Sequence, residues 1–179
     1  MQRPYGGATR VNQISRAFRP WGFSLVELMV TIAVAAIVLS IATPSFTSII
    51  NSNRLSSAAN EMVAAIQIAR TEAVRLNRSI TVCSSANGLD CTGAGSWVVL
   101  DGAKLLRVSS FNAKVKSSAA IDQFIFRADG LARQTAASGL LNSDFQFCID
   151  TTSPAQNLRT VSIGSGSRIS TTPGTNTCQ

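Results

Sequence analysis

The sequence predicts an α+β protein: a long N-terminal α-helix, one half membrane-inserting and one half amphipathic, packed on a C-terminal head of antiparallel β-sheet. Three observations predict it. A largely apolar run with a single charged residue, Glu27, occupies Gly22 to Thr43. Apolar residues at helical spacing follow from Leu55 to Leu76. Beyond Ser79 the period shortens to two, in short runs separated by turn residues.

Residues 1–22 carry Arg3, Arg10, Arg16 and Arg19, no acid, and the breakers Pro4, Gly6, Gly7 and Pro20. Nothing in this stretch is periodic, so it reads as a removable leader outside the fold. The 179-residue chain has a formal charge of +7; without the leader, 12 basic side chains face 9 acidic ones, a net of +3. The basic character is therefore partly an address and not an affinity for nucleic acid. Positive charge ahead of an apolar segment holds that end in the cytoplasm.

Phe23 to Thr43 contains no lysine or arginine and one acid, Glu27. As a helix, these residues would be about 31 Å long at 1.5 Å per residue, roughly the hydrocarbon thickness of a bilayer. A carboxylate costs about 2.5–3.5 kcal/mol at a membrane-helix centre and less near an end. Glu27 is thus either an interfacial residue of a signal anchor or an acid neutralised by a neighbouring molecule. Pro44 follows; it removes a backbone hydrogen bond and predicts a bend or loosened turn near residues 40–44.

Leu55, Ala59, Met62, Ile66, Ala69, Ala73 and Leu76 are spaced by threes and fours, which is one apolar stripe on a helix. Arg54, Glu61, Gln67, Arg70, Arg75 and Arg78 fall largely off it. The stripe reads as the face that packs on a sheet. The expected divisions are 1–22 leader, 23–43 membrane half of the helix, 44–78 amphipathic half, and 79–179 head.

In the head, Ser79 to Ser84 alternates as a strand, and Ser85 to Gly95 is loop-like in composition. Ser96 to Leu100 and Lys104 to Val108 flank Asp101-Gly102, a hairpin signal. Asn112 to Ala120 is small and polar and reads as a connection. Further strands are expected at Gln123 to Arg127, Asp144 to Ile149 and Asn157 to Ile163, with a short last one at Arg168 to Ser170. Gly164-Ser165-Gly166 reads as a flexible linker.

Four cysteines, Cys83, Cys91, Cys148 and Cys178, all follow the apolar segment. An even count in a translocated domain favours two disulfides in an oxidising compartment. Three connectivities exist; Cys83–Cys91 with Cys148–Cys178 is favoured, because each closes a local loop near a strand. Zinc is the weaker reading, since there is no histidine and no C-x-x-C.

No catalytic constellation is visible. Histidine is absent, Asp101 and Asp129 precede glycines and read as turn formers, and no phosphate-cradling glycine loop ends in Lys-Ser/Thr. No enzyme activity, metal or cofactor is expected.

The residues Gly22-Phe23-Ser24-Leu25-Val26-Glu27-Leu28, opening a long apolar helix, closely resemble the processing site of type IV pilins and type II secretion pseudopilins. Ala69-Arg70-Thr71-Glu72-Ala73-Val74, then Asn77-Arg78 and Val82-Cys83, is similar to the GspH/FimT subgroup of that family. The strand bearing Trp97, the Phe126–Gly130 turn and the strand from Arg159 to Val161 fit the same layout. The resemblance implies a type IV pilin-like fold and cleavage by prepilin peptidase between Gly22 and Phe23, with N-methylation of Phe23. It also implies that Glu27, fifth in the mature chain, pairs with the N-terminal amine of an adjacent subunit, and that Pro44 is the family's helix-loosening proline. The competing reading, an ordinary secretory signal cut near Ser40-Ile41-Ala42, leaves the glycine–phenylalanine–glutamate pattern unexplained.

The resemblance further implies a single pass through the inner membrane with a periplasmic head. The expected partners are prepilin peptidase, other major and minor pilins or pseudopilins, and the inner-membrane assembly platform. The leading function is a minor pilin that primes assembly at or near the pilus tip. The alternatives are a GspH-like pseudopilin of type II secretion, or a FimT-like pilin that binds DNA in transformation. Some FimT-type members bind DNA through a C-terminal Gly-Arg-x-Arg motif. The comparable place here, Gly166-Ser167-Arg168-Ile169-Ser170, keeps one arginine, and Thr171 to Gln179 has no cation. The candidate DNA contacts are therefore Arg168 with Arg70, Arg75 and Arg78, a thin set where affinity depends on several cations acting together.

Overall fold

A computed structural model describes residues 22–178, except for the side chains of residues 41–44. The expected leader up to Trp21 lies outside the described residues. The elements are α1 (Leu25–Leu76), β1 (Ile80–Ser85), β2 (Ser96–Asp101), β3 (Lys104–Ser109), β4 (Lys116–Ala119), β5 (Gln123–Phe126), β6 (Ala132–Arg133), β7 (Ser143–Cys148), β8 (Leu158–Gly164) and β9 (Arg168–Gly174). They form two compact units, one ending at Ser40 and one beginning at Ile41.

Both ends of α1 are capped by local chemistry. Ser24 starts it: its Oγ accepts the Glu27 N–H at 3.1 Å and its carbonyl accepts the Leu28 N–H at 3.1 Å. This is the Ser-x-x-Glu start signature, with Ser24 satisfying an otherwise orphan donor. Asn77 ends it in the left-handed region, φ 51°. The Arg78 N–H then donates to the Ala73 carbonyl and the Asn77 N–H to that of Val74, which is the Schellman arrangement. The backbone is helical through Pro44.

From residue 51 onward α1 buries the expected stripe. Leu55, Ala59, Met62, Ile66, Ala69 and Ala73 are inaccessible or nearly so, joined by Ala58 and Ala65. Small residues dominate the stripe. Two antiparallel sheets complete the core, ordered β3-β2-β1-β5-β6 and β4-β7-β8-β9. Val82 of β1, Phe124 and Phe126 of β5, Phe145 and Phe147 of β7, and Val161 and Ile163 of β8 all join the helix stripe in one apolar cluster. At its centre Trp97 meets Phe145 edge-on with centroids 5.1 Å apart, and Phe124 lies 5.4 Å from Phe145. Glu61 ties α1 to β3: its carboxylate accepts from Arg107 at 2.7 Å and its carbonyl from the Ser109 hydroxyl at 3.3 Å.

Three sequence expectations require correction. Asn112 to Ala120 is not wholly a connection, because Lys116–Ala119 pairs along β7 as an edge strand. The last strand is seven residues long, not three, and pairs with β8 from Gly164↔Arg168 to Leu158↔Gly174. Gly164-Ser165-Gly166 is the start of the tight β8–β9 hairpin and not a linker: the Ser167 N–H closes it on the Gly164 carbonyl at 2.9 Å. The left-handed φ of 87° at Gly166 is what glycine supplies there.

Ser167 also joins the two sheets. Its buried hydroxyl oxygen accepts the Ala132 N–H of β6 at 2.7 Å. Ser167→Ala would strand that buried donor, a loss of about 1–3 kcal/mol. Urea denaturation in detergent micelles should show a lower midpoint with an unchanged slope.

Disulfides join Cys83 to Cys91 across 8 residues and Cys148 to Cys178 across 30, with Cα–Cα distances of 5.5 and 5.7 Å. The first closes the Ser85–Gly95 loop and the second fixes the C-terminal segment to the end of β7. Asn157 reinforces the second, exchanging hydrogen bonds with the Asn176 backbone at 2.8 and 3.0 Å.

Candidate assembly interface

The first unit is a helix exposed on every side. Phe23, Leu25, Val26, Leu28, Met29, Val30, Ile32, Val34, Ile37, Val38 and Leu39 each leave at least half their surface uncovered. A helix apolar all round is stable only when surrounded by lipid or other helices. The segment is long and apolar enough to cross a membrane. Its hydroxyls are satisfied within the helix: Thr31 donates to the Leu28 carbonyl at 2.8 Å and Ser40 to that of Ile37 at 2.7 Å. Such internal pairing is what a polar group needs in hydrocarbon.

Glu27 is the exception. Its backbone is engaged by Ser24, but among the described residues no group pairs with its carboxylate. It lies in the first turn of α1, where the helix dipole favours negative charge. Gly22 and Phe23 precede the helix outside regular secondary structure and are exposed.

In the second unit apolar exposure continues at Phe46, Ile49 and Ile50. It stops at Asn51, which is buried with its amide donating to the Ser153 carbonyl at 3.1 Å. Beside this face a groove of about 370 Å³ is lined by Ile50, Arg54, Ala58, Glu61 and Phe111. Sequence reasoning passed over this patch, although Phe46, Ile49 and Ile50 stand at helical spacing and off the buried stripe.

The four arginines considered for DNA differ in their surroundings. Arg75 pairs with Glu72 at 2.5 Å, and that hydrogen bond holds the Glu72 carboxyl below its usual range while raising the guanidinium. Arg78 pairs with Asp101, whose carboxylate is only 8% exposed. Asp101 therefore anchors the end of α1 as well as forming a turn. Arg70 and Arg168 are exposed, with no ion pair among the described residues. At the neighbouring turn the Leu131 N–H, donating to Asp129 at 2.9 Å, is the main cause that lowers the Asp129 carboxyl; Arg133 adds to it. Half of the proposed cation set is thus already neutralised by this chain's own carboxylates.

The sequence model described as type II transport protein GspH matches residues 58–167, and that of the prokaryotic N-terminal methylation motif matches residues 22–43. Among solved structures, a crystal structure of the type IV minor pilin FimU from Pseudomonas aeruginosa is 25% identical with a TM-score of 0.51. It covers 68% of this chain and 90% of its own. The minor pseudopilin EpsH from the type 2 secretion system of Vibrio cholerae matches at 8% identity and TM-score 0.47, over 67% of this chain and 97% of its own. No curated protein sequence matches the chain. The GspH match spans more than half of the chain, begins within the buried stripe and ends in the β8–β9 turn. With the methylation motif fixing the start of α1, this chain belongs to the GspH/FimT-like family of type IV minor pilins and pseudopilins.

Proposed function

We propose that the chain is the precursor of a minor type IV pilin. Prepilin peptidase cuts it between Gly22 and Phe23, and Phe23 is N-methylated. The mature subunit waits in the inner membrane as a single-pass protein with a periplasmic head, and then enters the fibre at or near its tip, where it primes assembly. In this reading residues 1–22 are the leader, 23–43 the assembly half of the helix, 44–78 the half that packs on the head, and 79–179 the head. The partners are other pilins and the assembly platform, and no catalytic role is assigned.

The observation that carries the reading is Glu27. It is the one charged side chain of a wholly exposed apolar helix, it has no partner among the described residues, and it stands five places after the cleavage point. The amine of Phe23 on a neighbouring subunit supplies the missing cation. Likeness to FimU supports the pilus reading; the second reading, a GspH-like pseudopilin of type II secretion, is supported by the GspH match.

Mass spectrometry of the protein from cell membranes and sheared fibres tests the processing. The expected N-terminal peptide begins with N-methylated Phe23 in both pools. A mature terminus beyond Ala42 would instead identify a secretory signal and remove the pilin reading.

A further inference from the structure

A cleft of about 220 Å³ lies between the two sheets, lined by Ser84, Gly95, Trp97, Ser117, Ser118 and Asp122 among others. Ser84 and Trp97 are directly opposed in the β1–β2 pair, so their side chains leave the same face of the sheet. That face also carries Val82 and looks onto the shared core. Ser117 and Ser118 come from the edge strand β4 of the other sheet.

The cleft collects polar groups that the fold does not use. Ser84 is 7% exposed, and its hydroxyl oxygen is buried with no hydrogen-bond partner. Its backbone is already committed, the N–H to the Asp122 carbonyl at 2.8 Å and the carbonyl to the Gly93 N–H at 3.3 Å. The Trp97 indole N–H, the hydroxyl of Ser117, on the same sheet face as buried Phe147, and the exposed Asp122 carboxylate also have no partner among the described residues. The Ser84 hydroxyl thus keeps hydrogen-bonding capacity, on the wall of a cleft, that a bound group can use. Trp97 is held in place by its edge contact with Phe145, which fixes the wall in advance.

Charge and hydrogen-bond polarity define that group. The lining holds one carboxylate and no cation, which disfavours phosphates and carboxylates. An ammonium would satisfy Asp122 but offers no lone pair to the indole N–H. A saccharide hydroxyl both donates to a carboxylate and accepts from an indole. The volume is below the 300–1,000 Å³ of pockets for drug-sized ligands, which limits the occupant to about one ring. We propose that this cleft binds a single pyranose ring of a neutral glycan through Asp122, the hydroxyls of Ser84 and Ser117, and the Trp97 indole N–H. The site is confined to the head and does not depend on the assembly reading.

The test uses the full chain in zwitterionic detergent micelles, since sugar-headed detergents would compete. Saturation-transfer NMR is recorded with methyl β-glucoside, methyl β-galactoside and methyl β-N-acetylglucosaminide. At least one glycoside should receive saturation in the millimolar range. Asp122→Asn, at an exposed position, should weaken binding about tenfold, and Ser84→Ala should weaken it less. Unchanged thermal unfolding will show that both variants fold. The proposal is overturned by no transfer to any glycoside at about 10 mM, by binding indifferent to both substitutions, or by methylammonium binding where the glycosides do not.

Discussion

Glu27→Ala will leave the protein in the membrane and reduce its entry into the fibre at least tenfold. The two effects separate because the carboxylate acts differently in each setting. In lipid it is a cost of up to about 2.5–3.5 kcal/mol, so alanine makes insertion easier. In the proposed pairing it faces the Phe23 amine of a neighbouring subunit; at 4 Å and an effective dielectric constant near 20, such a pair is worth about 4 kcal/mol before desolvation. Even a third of that is a factor of ten. The helix start survives the substitution, because the bond at this turn runs from the residue 27 N–H to the Ser24 hydroxyl. Immunoblots of membrane and sheared-fibre fractions measure the ratio directly. Glu27→Gln, which keeps the size and loses the charge, should fail as alanine does. Wild-type incorporation of either variant would sink the pairing.

Phe124→Ala should cost about 3–5 kcal/mol, a large part of the 5–15 kcal/mol typical of a domain. Phe124 is fully buried, lies 5.9 Å from Phe126, 5.4 Å from Phe145 and 6.3 Å from Trp97, and belongs to the cluster that the α1 stripe covers. Truncation opens a cavity where three rings and a helix meet, and close-packed neighbours cannot collapse into it. Near-UV circular dichroism of Trp97 during thermal unfolding is the readout. Phe111→Ala, at a half-buried ring packed against the outside of the cluster with one ring contact, to Phe147, should cost less. Equal melting temperatures for the two variants would contradict this picture of the core.

The contrast between these rings explains what the sequence makes legible. Phe124 and Phe126, like Phe145 and Phe147, alternate within short runs, and Leu55 to Ala73 repeats at helical spacing, so burial follows from period alone. β4 reads Lys-Ser-Ser-Ala, polar on both faces, and pairs along one edge only. β9 is almost entirely exposed, and β6 has two residues. These strands exist because a neighbour offers a ladder, and their own composition carries no such signal. The assembly motif is legible because its chemistry is local: glycine, phenylalanine, serine and glutamate sit within six residues. The ion pairs Arg78–Asp101 and Arg107–Glu61 join residues 23 and 46 apart in the chain, so only the folded chain shows that these charges are spent. The same holds for the cleft at Ser84, whose lining comes from both sheets.

The uncovered apolar helix has a consequence for traffic. Eleven large apolar side chains between Phe23 and Leu39 would meet water if the subunit ever left its surroundings alone. At about 1.5–3 kcal/mol each, that penalty is on the order of 15–30 kcal/mol. No collision in solution supplies it on a useful timescale. Any exchange of lipid for protein neighbours must therefore be a sideways handover at the bilayer, with one apolar contact replacing another, and a subunit that misses it remains in the membrane reservoir.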